Sequence, residues 1–279
     1  MTTIAITGVT GALGGEVVRL LAGADMRLDL RLLARDPSRA PDVDTDVRAL
    51  DYRDPDPAAL RGVDTLLLVS ASESQDRRDV HRTVVAAAAY AGVRHVVYTS
   101  FCGAAPDASF TLGRDHHDTE QAIRESGMAH TILRDNFYLD VLPFFADEQG
   151  VVRGPAGTGR VAAVARADVA AVAAAVLRAP EEHAGATYDL SGPEALTMAE
   201  VAERAGRVLG RELRFEDETL EAAYASRRAG WPDAEDWQLD AWVSTYTAIA
   251  DGSCDLVTDH VERVAGRPAR TLEETLGRP

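Results

Sequence analysis

Residues 111–127 read TLGRDHHDTEQAIRESG. Two adjacent histidines, His116 and His117, stand among Asp115, Asp118 and Glu120 near the start of a predicted helix. Metal ligation, proton transfer and simple solvation are the chemistries open to such a group. Neighbouring helical residues point about 100° apart, so the two histidines do not face one ion. His116 and Glu120 share a face, but two ligands make no site without a third, and no metal is expected. Imidazole titrates near neutrality, which leaves His116 as a candidate for proton delivery or for a polar lining. His117 reads as a solvated partner of Asp115 or Asp118.

A second group lies at the N-terminus, in ITGVTGALGGEVVRLL, with Gly8, Gly11 and Gly14 between a predicted strand and a predicted helix. Gly8 allows a tight turn, Gly11 a close approach of backbone to a pyrophosphate, and Gly14 tight packing of helix on strand. The helix N-terminus then offers amides and partial positive charge to an anion. The end of the second strand, LLARDPSR, decides which dinucleotide fits. A carboxylate there would hold a ribose hydroxyl; this chain has Arg35, whose guanidinium can grip a 2′-phosphate. NADP(H) is therefore expected, with NAD(H) a second candidate. Asp36 counts against the phosphate and Arg39 assists it. Asp51 and Tyr52, after the third strand, are candidates to flank the adenine.

The elements that must position these residues alternate along the first half. Apolar runs at 2–7, 28–35, 43–52, 64–72, 94–101 and 129–134 predict six strands. Helical patterns at 14–23, 77–93 and 115–126 lie between them, with a short proline-led helix near residue 57. That order predicts an α/β fold, a doubly wound parallel sheet of Rossmann type. VVRGPAGTGRVAAVAR (151–166) predicts two short strands around a glycine-rich turn. Thr197 and Glu200 form a predicted capping box for a helix closing at Gly210. We expect a dinucleotide-binding domain over 1–135 and a smaller α/β substrate-side region over 136–279, interleaved with the sheet. Tyr224, Trp231, Trp237, Trp242 and Tyr246 lie in that region, either as core or as cover for a flat ring.

Composition narrows the function. The 279 residues carry a formal charge of −16, which repels nucleic acid, so no direct nucleic-acid role is expected. No apolar run of about 18 residues predicts a membrane span, and no signal peptide is apparent, so a cytoplasmic location is expected. Cys102 and Cys254 are far apart in sequence, with no metal or redox spacing. All 29 Lys+Arg residues are arginine, so no chemistry that needs a catalytic lysine runs here.

TGVTGALG, LLARDPSRA, LDYRDP, LLLVSASE and VRHVVYTSF together resemble the atypical short-chain dehydrogenases of the NmrA-like family. HHDTEQAIRESGMAHTILRDNFYLDVL, GPAGTGRVAAVARADVAAVAAAVL and YDLSGPEALTMAEVAERAGRVLGREL are similar to its type 2 NADPH:quinone reductases, a likeness that fades after about Glu221. The resemblance implies that Gly8, Thr10, Gly11, Leu13 and Gly14 hold the pyrophosphate and Arg35 the 2′-phosphate. Ser70, Ala71, Ser72 and Thr99 would line the ribose and nicotinamide. His116 and Ser100 become the candidate catalytic residues, and Phe101, Phe137 and Tyr138 the substrate wall. His81 and Arg82 are similar to a family His-Arg pair; helix packing explains them equally.

Most short-chain dehydrogenases use Tyr-x-x-x-Lys on the helix after the fifth strand. Aligned on that helix, Leu112 occupies the tyrosine position and His116 the lysine position. Reducing a simple ketone makes a basic alkoxide that needs a positioned acid. Reducing a quinone makes a delocalised hydroquinone anion that needs far less help. The resemblance thus implies an NADPH-dependent oxidoreductase acting on a quinone or quinone-like aromatic carbonyl; a homodimer is a candidate assembly. An aromatic polyketide tailoring enzyme, reductase or monooxygenase, and a non-catalytic NADP(H)-sensing protein are the alternatives.

Overall fold

A computed structural model describes residues 2–23 and 28–277. In chain order the elements are β1 (Thr3–Ile6), α1 (Ala12–Ala22), β2 (Asp29–Ala34), β3 (Asp46–Ala49), β4 (Thr65–Leu68), α2 (Arg77–Ala91), β5 (His95–Phe101), α3 (Thr111–Glu125) and β6 (Ala129–Asp135). They continue with β7 (Val151–Gly154), β8 (Arg160–Val161), α4 (Arg166–Arg178), β9 (Thr187–Leu190), β10 (Leu196–Thr197), α5 (Met198–Leu209) and β11 (Arg214–Asp217). Four helices end the chain: α6 (Leu220–Gly230), α7 (Asp236–Ala250), α8 (His260–Ala265) and α9 (Leu272–Leu276). No helix of the described residues is long and apolar enough to cross a membrane.

The main sheet has the strand order β3-β2-β1-β4-β5-β6-β9, and β2 with β3, β1 with β2, β1 with β4 and β4 with β5 pair in parallel. This is the expected doubly wound sheet. Every residue of β4 and β5 is buried, as strands covered on both faces require. Leu66, Leu68, Val96 and Tyr98 from these strands pack with Val84, Val85 and Ala88 of α2 and Ile123 of α3 in one apolar cluster. Arg178 at the end of α4 donates to the Leu20 carbonyl of α1, 3.0 Å away. The order reverses between β1 and β4, the point at which open α/β sheets bind ligands at their strand carboxyl ends.

The chain forms two compact units, and the division is not a single cut at residue 135. The first comprises Met1–Phe101, Asp115–Arg134 and Ala167–Tyr188; the second comprises Cys102–Arg114, Asp135–Arg166 and Asp189–Pro279. The long segment after β6 returns to the first unit because β9 joins the sheet edge, where the Ile132 amide donates to Ala186 at 2.9 Å. Two boundaries near the site also move. α3 begins at Thr111, before the expected residue 115. The proline-led segment is a single 3-10 turn, Pro57–Ala59, capped by Asp56.

In the second unit, the Thr197–Glu200 capping box and the left-handed Gly210 bound α5 as expected. The glycine-rich segment carries the two expected short strands, β7 and β8, around its turn, but they do not pair with each other. β7 pairs in parallel with β11, and β8 pairs antiparallel with β10. Its glycines admit α7 instead. A Cβ on Gly154 would lie 2.3 Å from the Tyr246 ring, and one on Gly159 2.2 Å from the Ile249 carbonyl. Tyr246 is buried and cannot swing aside. Gly154→Ala is expected to lower the unfolding free energy by roughly 1–3 kcal/mol through overpacking, read as a lower urea midpoint with unchanged slope.

Candidate active site

The carboxyl end of β1 carries the glycine turn. Gly8 has a left-handed φ of 63°, and its carbonyl accepts the Gly11 amide at 2.9 Å. A Cβ on Gly14 would lie 2.4 Å from that same carbonyl, so only glycine lets α1 approach the turn so closely. α1 has Gly11 as N-cap, with no side-chain cap and no acid in its first turn. Its end amides are left for an external anion, and the turn fits a dinucleotide pyrophosphate. Thr10 and Gly11 are exposed. Leu13 is buried in the core, so only its backbone can serve a ligand.

Beneath this turn, buried Thr7 joins β1 to β4. Its hydroxyl donates to the Leu67 carbonyl and accepts the Val69 amide, each at 2.9 Å. The Tyr52 hydroxyl contacts Thr7 Oγ1 and lies 2.9 Å from the Val69 carbonyl. Burial pushes this phenol above its usual pKa. The Tyr52 hydroxyl therefore braces the strand ends, while Asp51 is exposed and accepts the Arg53 amide at 3.0 Å. At the end of β2, Arg35 is exposed. The Asp36 carboxylate caps the Pro37–Arg39 turn, accepting the Ser38 amide at 3.1 Å and the Ser38 hydroxyl at 2.7 Å.

The residues after β4 are held from two helices. The Thr99 hydroxyl accepts the Ser70 amide at 2.9 Å. The Ala71 amide donates to His81 Nε2 at 2.9 Å, and the Ala71 carbonyl accepts Arg77 Nε at 3.0 Å. Ser72 is exposed. Because an amide only donates, His81 Nε2 is unprotonated; its proton sits on Nδ1, 2.7 Å from Thr119 Oγ1. Arg77 Nη2 meets His116 Nε2 at 3.0 Å, and a guanidinium also only donates. His116 therefore keeps its proton on Nδ1, directed at the Tyr98 hydroxyl 2.9 Å away. Burial, then the Arg77 charge, pushes His81 down to about 3. Burial, Arg77 and His81 together hold His116 well below the usual histidine range.

These contacts change the reading of His116. Both ring nitrogens are bound inside the protein and the ring is neutral near pH 7, so it is not a free proton donor standing in for the superfamily lysine. Phe101 packs on it, ring centroids 6.2 Å apart. The expected partners of His117 are also taken: Arg78 Nε donates to Asp115 at 2.7 Å, and Arg82 pairs with Asp118. Ser100 is fully buried and donates to Glu120 at 2.6 Å. Glu120 is bound by Arg134 and Arg124 as well. Burial would raise its carboxyl, but the hydrogen bonds from Arg134 and Ser100 prevail and hold it below its usual range. The Ser100 proton is thus committed to a carboxylate. Arg77, Tyr98, Thr119 and Thr7 were not among the expected site residues. The signal for the first was its spacing from His81, four residues along one helix face.

Phe137 and Tyr138 belong to the second unit. Phe137 meets Phe110 edge-on at 5.2 Å. The Tyr138 hydroxyl bonds to Asp135, and the Arg166 guanidinium lies over its ring at 5.1 Å. The later aromatics are engaged locally: Trp231 with Trp242 at 5.3 Å, Tyr224 with Asp240 at 2.8 Å, Trp237 Nε1 with Glu235 at 3.1 Å, and Tyr246 beneath Arg227 at 5.3 Å.

Residues 8–180, which include the glycine turn, match the NAD(P)H-binding family. The chain belongs to the NAD(P)H-binding family of oxidoreductases. It is 36% identical to an NAD(P)H azoreductase of Xenophilus azovorans, over 97% of this chain and 96% of the relative. It is 32% identical to quinone oxidoreductase 2 of Escherichia coli, over 98% and 97%. The crystal structure of an Escherichia coli NADPH-dependent quinone oxidoreductase complexed with NADPH matches with a TM-score of 0.87 at 31% identity, covering 98% of both chains. Triphenylmethane reductase of Citrobacter, complexed with NADP(H), matches with a TM-score of 0.83 at 29% identity, again over 98% of both.

The neutral histidines make stability pH-dependent. Below the unfolded value of 6.5 the unfolded chain binds protons that His81 and His116 refuse in the fold. Stability is then complete above that value and lost as the pH falls from it, by up to about 1.4 kcal/mol per pH unit for each histidine. Buried His95, lowered chiefly by desolvation, adds to the slope. Urea midpoints should fall steadily between about pH 6.5 and pH 5. A flat profile over that interval would show that the rings titrate in the fold as they do in the unfolded chain.

Proposed function

We propose that this oxidoreductase transfers hydride from NADPH to a quinone or quinone-like aromatic carbonyl in the cytoplasm. The observation that carries the reading is the state of the catalytic helix. Leu112 stands where the superfamily has its tyrosine, and His116 is neutral with both nitrogens engaged. Such an edge positions a hydride donor without supplying a built acid, so it suits an acceptor whose reduced anion is delocalised. Quinones, azo dyes and triphenylmethane dyes, the acceptors for which the relatives are named, share that conjugation.

In this reading NADPH, when bound, supplies the hydride, and the chain binds and orients it. The amides of the Gly8, Thr10, Gly11, Leu13 and Gly14 turn hold the pyrophosphate. Arg35 holds the 2′-phosphate, and Asp51 and the Tyr52 ring flank the adenine. Ser70, Ala71, Ser72 and Thr99 form the ribose and nicotinamide side. The hydroquinone takes its proton from solvent. Ser100 has a structural duty, holding Glu120.

Loss of NADPH absorbance across a panel of benzo- and naphthoquinones tests the reaction. Turnover rising with the oxidising power of the quinone is expected. Tight NADPH binding without turnover on any member would return the protein to the sensor reading. Arg35→Glu should remove a charge-assisted contact and repel the phosphate, weakening NADPH by at least about tenfold while NADH changes little. Equal losses for the two cofactors would remove Arg35 from the discriminating role.

A further inference from the structure

We propose that Arg77 and His81 form a two-sided clamp on the Ala71 peptide, set from α3 by His116 and Thr119, that fixes the nicotinamide end of the cofactor. The inference rests on the proposed placement of the nicotinamide beside Ser70–Ser72. One peptide is gripped at both poles, its amide by His81 at 2.9 Å and its carbonyl by Arg77 at 3.0 Å. Each gripping group is set by a second one. His81 Nδ1 lies 2.7 Å from Thr119 Oγ1, which donates to the Asp115 carbonyl at 2.8 Å. Arg77 donates to His116 at 3.0 Å, and His116 is tied to Tyr98 at 2.9 Å.

The members are buried: Arg77 is 3% exposed, His81 and Tyr98 0%, Thr119 0% and His116 6%. A polar network so far from water favours one geometry, because rearrangement breaks hydrogen bonds that water does not replace; Arg77 Nη1 alone stands outside them, facing Asp115. The charged groups around it are Arg77 itself, Arg78 on α2 and Asp115 on α3, whose carboxylate lies 2.7 Å from Arg78 Nε and 3.6 Å from Arg77 Nη1. His116 accordingly acts as a positioning residue through Arg77, at the position where the superfamily lysine would contact the ribose directly.

Binding separates this role from proton delivery and from a general effect on folding. The probes are NADPH and 2′,5′-ADP, which carries the adenine half and the 2′-phosphate without the nicotinamide. Arg77→Met should weaken NADPH by about tenfold, the equivalent of one buried hydrogen bond, and leave 2′,5′-ADP unchanged. His116→Ala should do the same less strongly. His116→Gln keeps an acceptor for Arg77 and should restore binding and kcat/KM to within about twofold of the parent. If Arg77→Met does not fold, the His116→Ala and His116→Gln pair carries the test. Equal weakening of both probes, or of neither, overturns the clamp. So does a Gln variant as impaired as the Ala variant, or one that loses a limb of the pH profile of kcat/KM, since only the imidazole would then suffice. Binding needs no acceptor, so absence of quinone turnover in the parent defeats the proposed reaction and leaves the clamp to be judged on affinity.

Discussion

A buried guanidinium cannot ionise away its charge, so the fold must supply it with acceptors. Arg77 meets that demand in part, at one peptide carbonyl and one imidazole, while its Nη1 lies 3.6 Å from the Asp115 carboxylate without a hydrogen bond. The rest follows from this constraint. The imidazole must be neutral to accept, which sets the tautomer of His116 and turns its remaining proton toward Tyr98. The carbonyl must stay where the guanidinium reaches it, which fixes the backbone just after β4. His81 reaches the same peptide from the next turn of α2, so helix and strand end are joined at two points.

The same edge handles anions in a chain of strongly negative charge. A net charge of −16 gives a dinucleotide no general attraction. Attraction has to be local, and it has two sources of different kinds. The uncapped N-terminus of α1 supplies oriented amides, brought close by the absence of a Cβ on Gly14. Arg35 is the proposed second source, a full charge, and the neighbouring Asp36 carboxylate is engaged by Ser38 in the following 3-10 turn. The acidic neighbour that weakens the sequence argument for a 2′-phosphate is thus a capping residue.

The sheet order, the glycine turn and the α5 capping box were legible because each rests on a local signal: period, a required φ, or an i,i+3 pair. What was not legible depends on partners distant in sequence. The segment around Gly154 and Gly159 has the composition of a hairpin, and nothing local tells that α7, some ninety residues on, needs the missing side chains. His116 was recognised as chemically notable by type and alignment. Its function depends on Arg77 and Tyr98, which α2 and β5 bring to opposite sides of the ring. Ser100 was placed correctly at a strand end, yet inward-facing positions alternate with outward ones, and the Glu120 carboxylate lies on its side. Periodicity identifies a buried face without naming what a polar side chain on that face will meet.

That limit bears on how a lost catalytic dyad should be read. Replacing a lysine by a histidine at one helix position looks like the exchange of one proton-transfer group for another. Here the replacement is buried against an arginine, and both burial and charge drive its pKa away from neutrality. An imidazole so placed can neither take up a second proton at neutral pH nor offer a lone pair to substrate. What it can do is hold a guanidinium in one orientation. In the proposed clamp the position keeps its connection to the cofactor by an indirect route, through Arg77 and the Ala71 peptide, and gives up acid catalysis. An enzyme built this way depends on the acceptor to stabilise its own reduced charge, so chemical selectivity lies in the electron demand of the substrate more than in a donated proton.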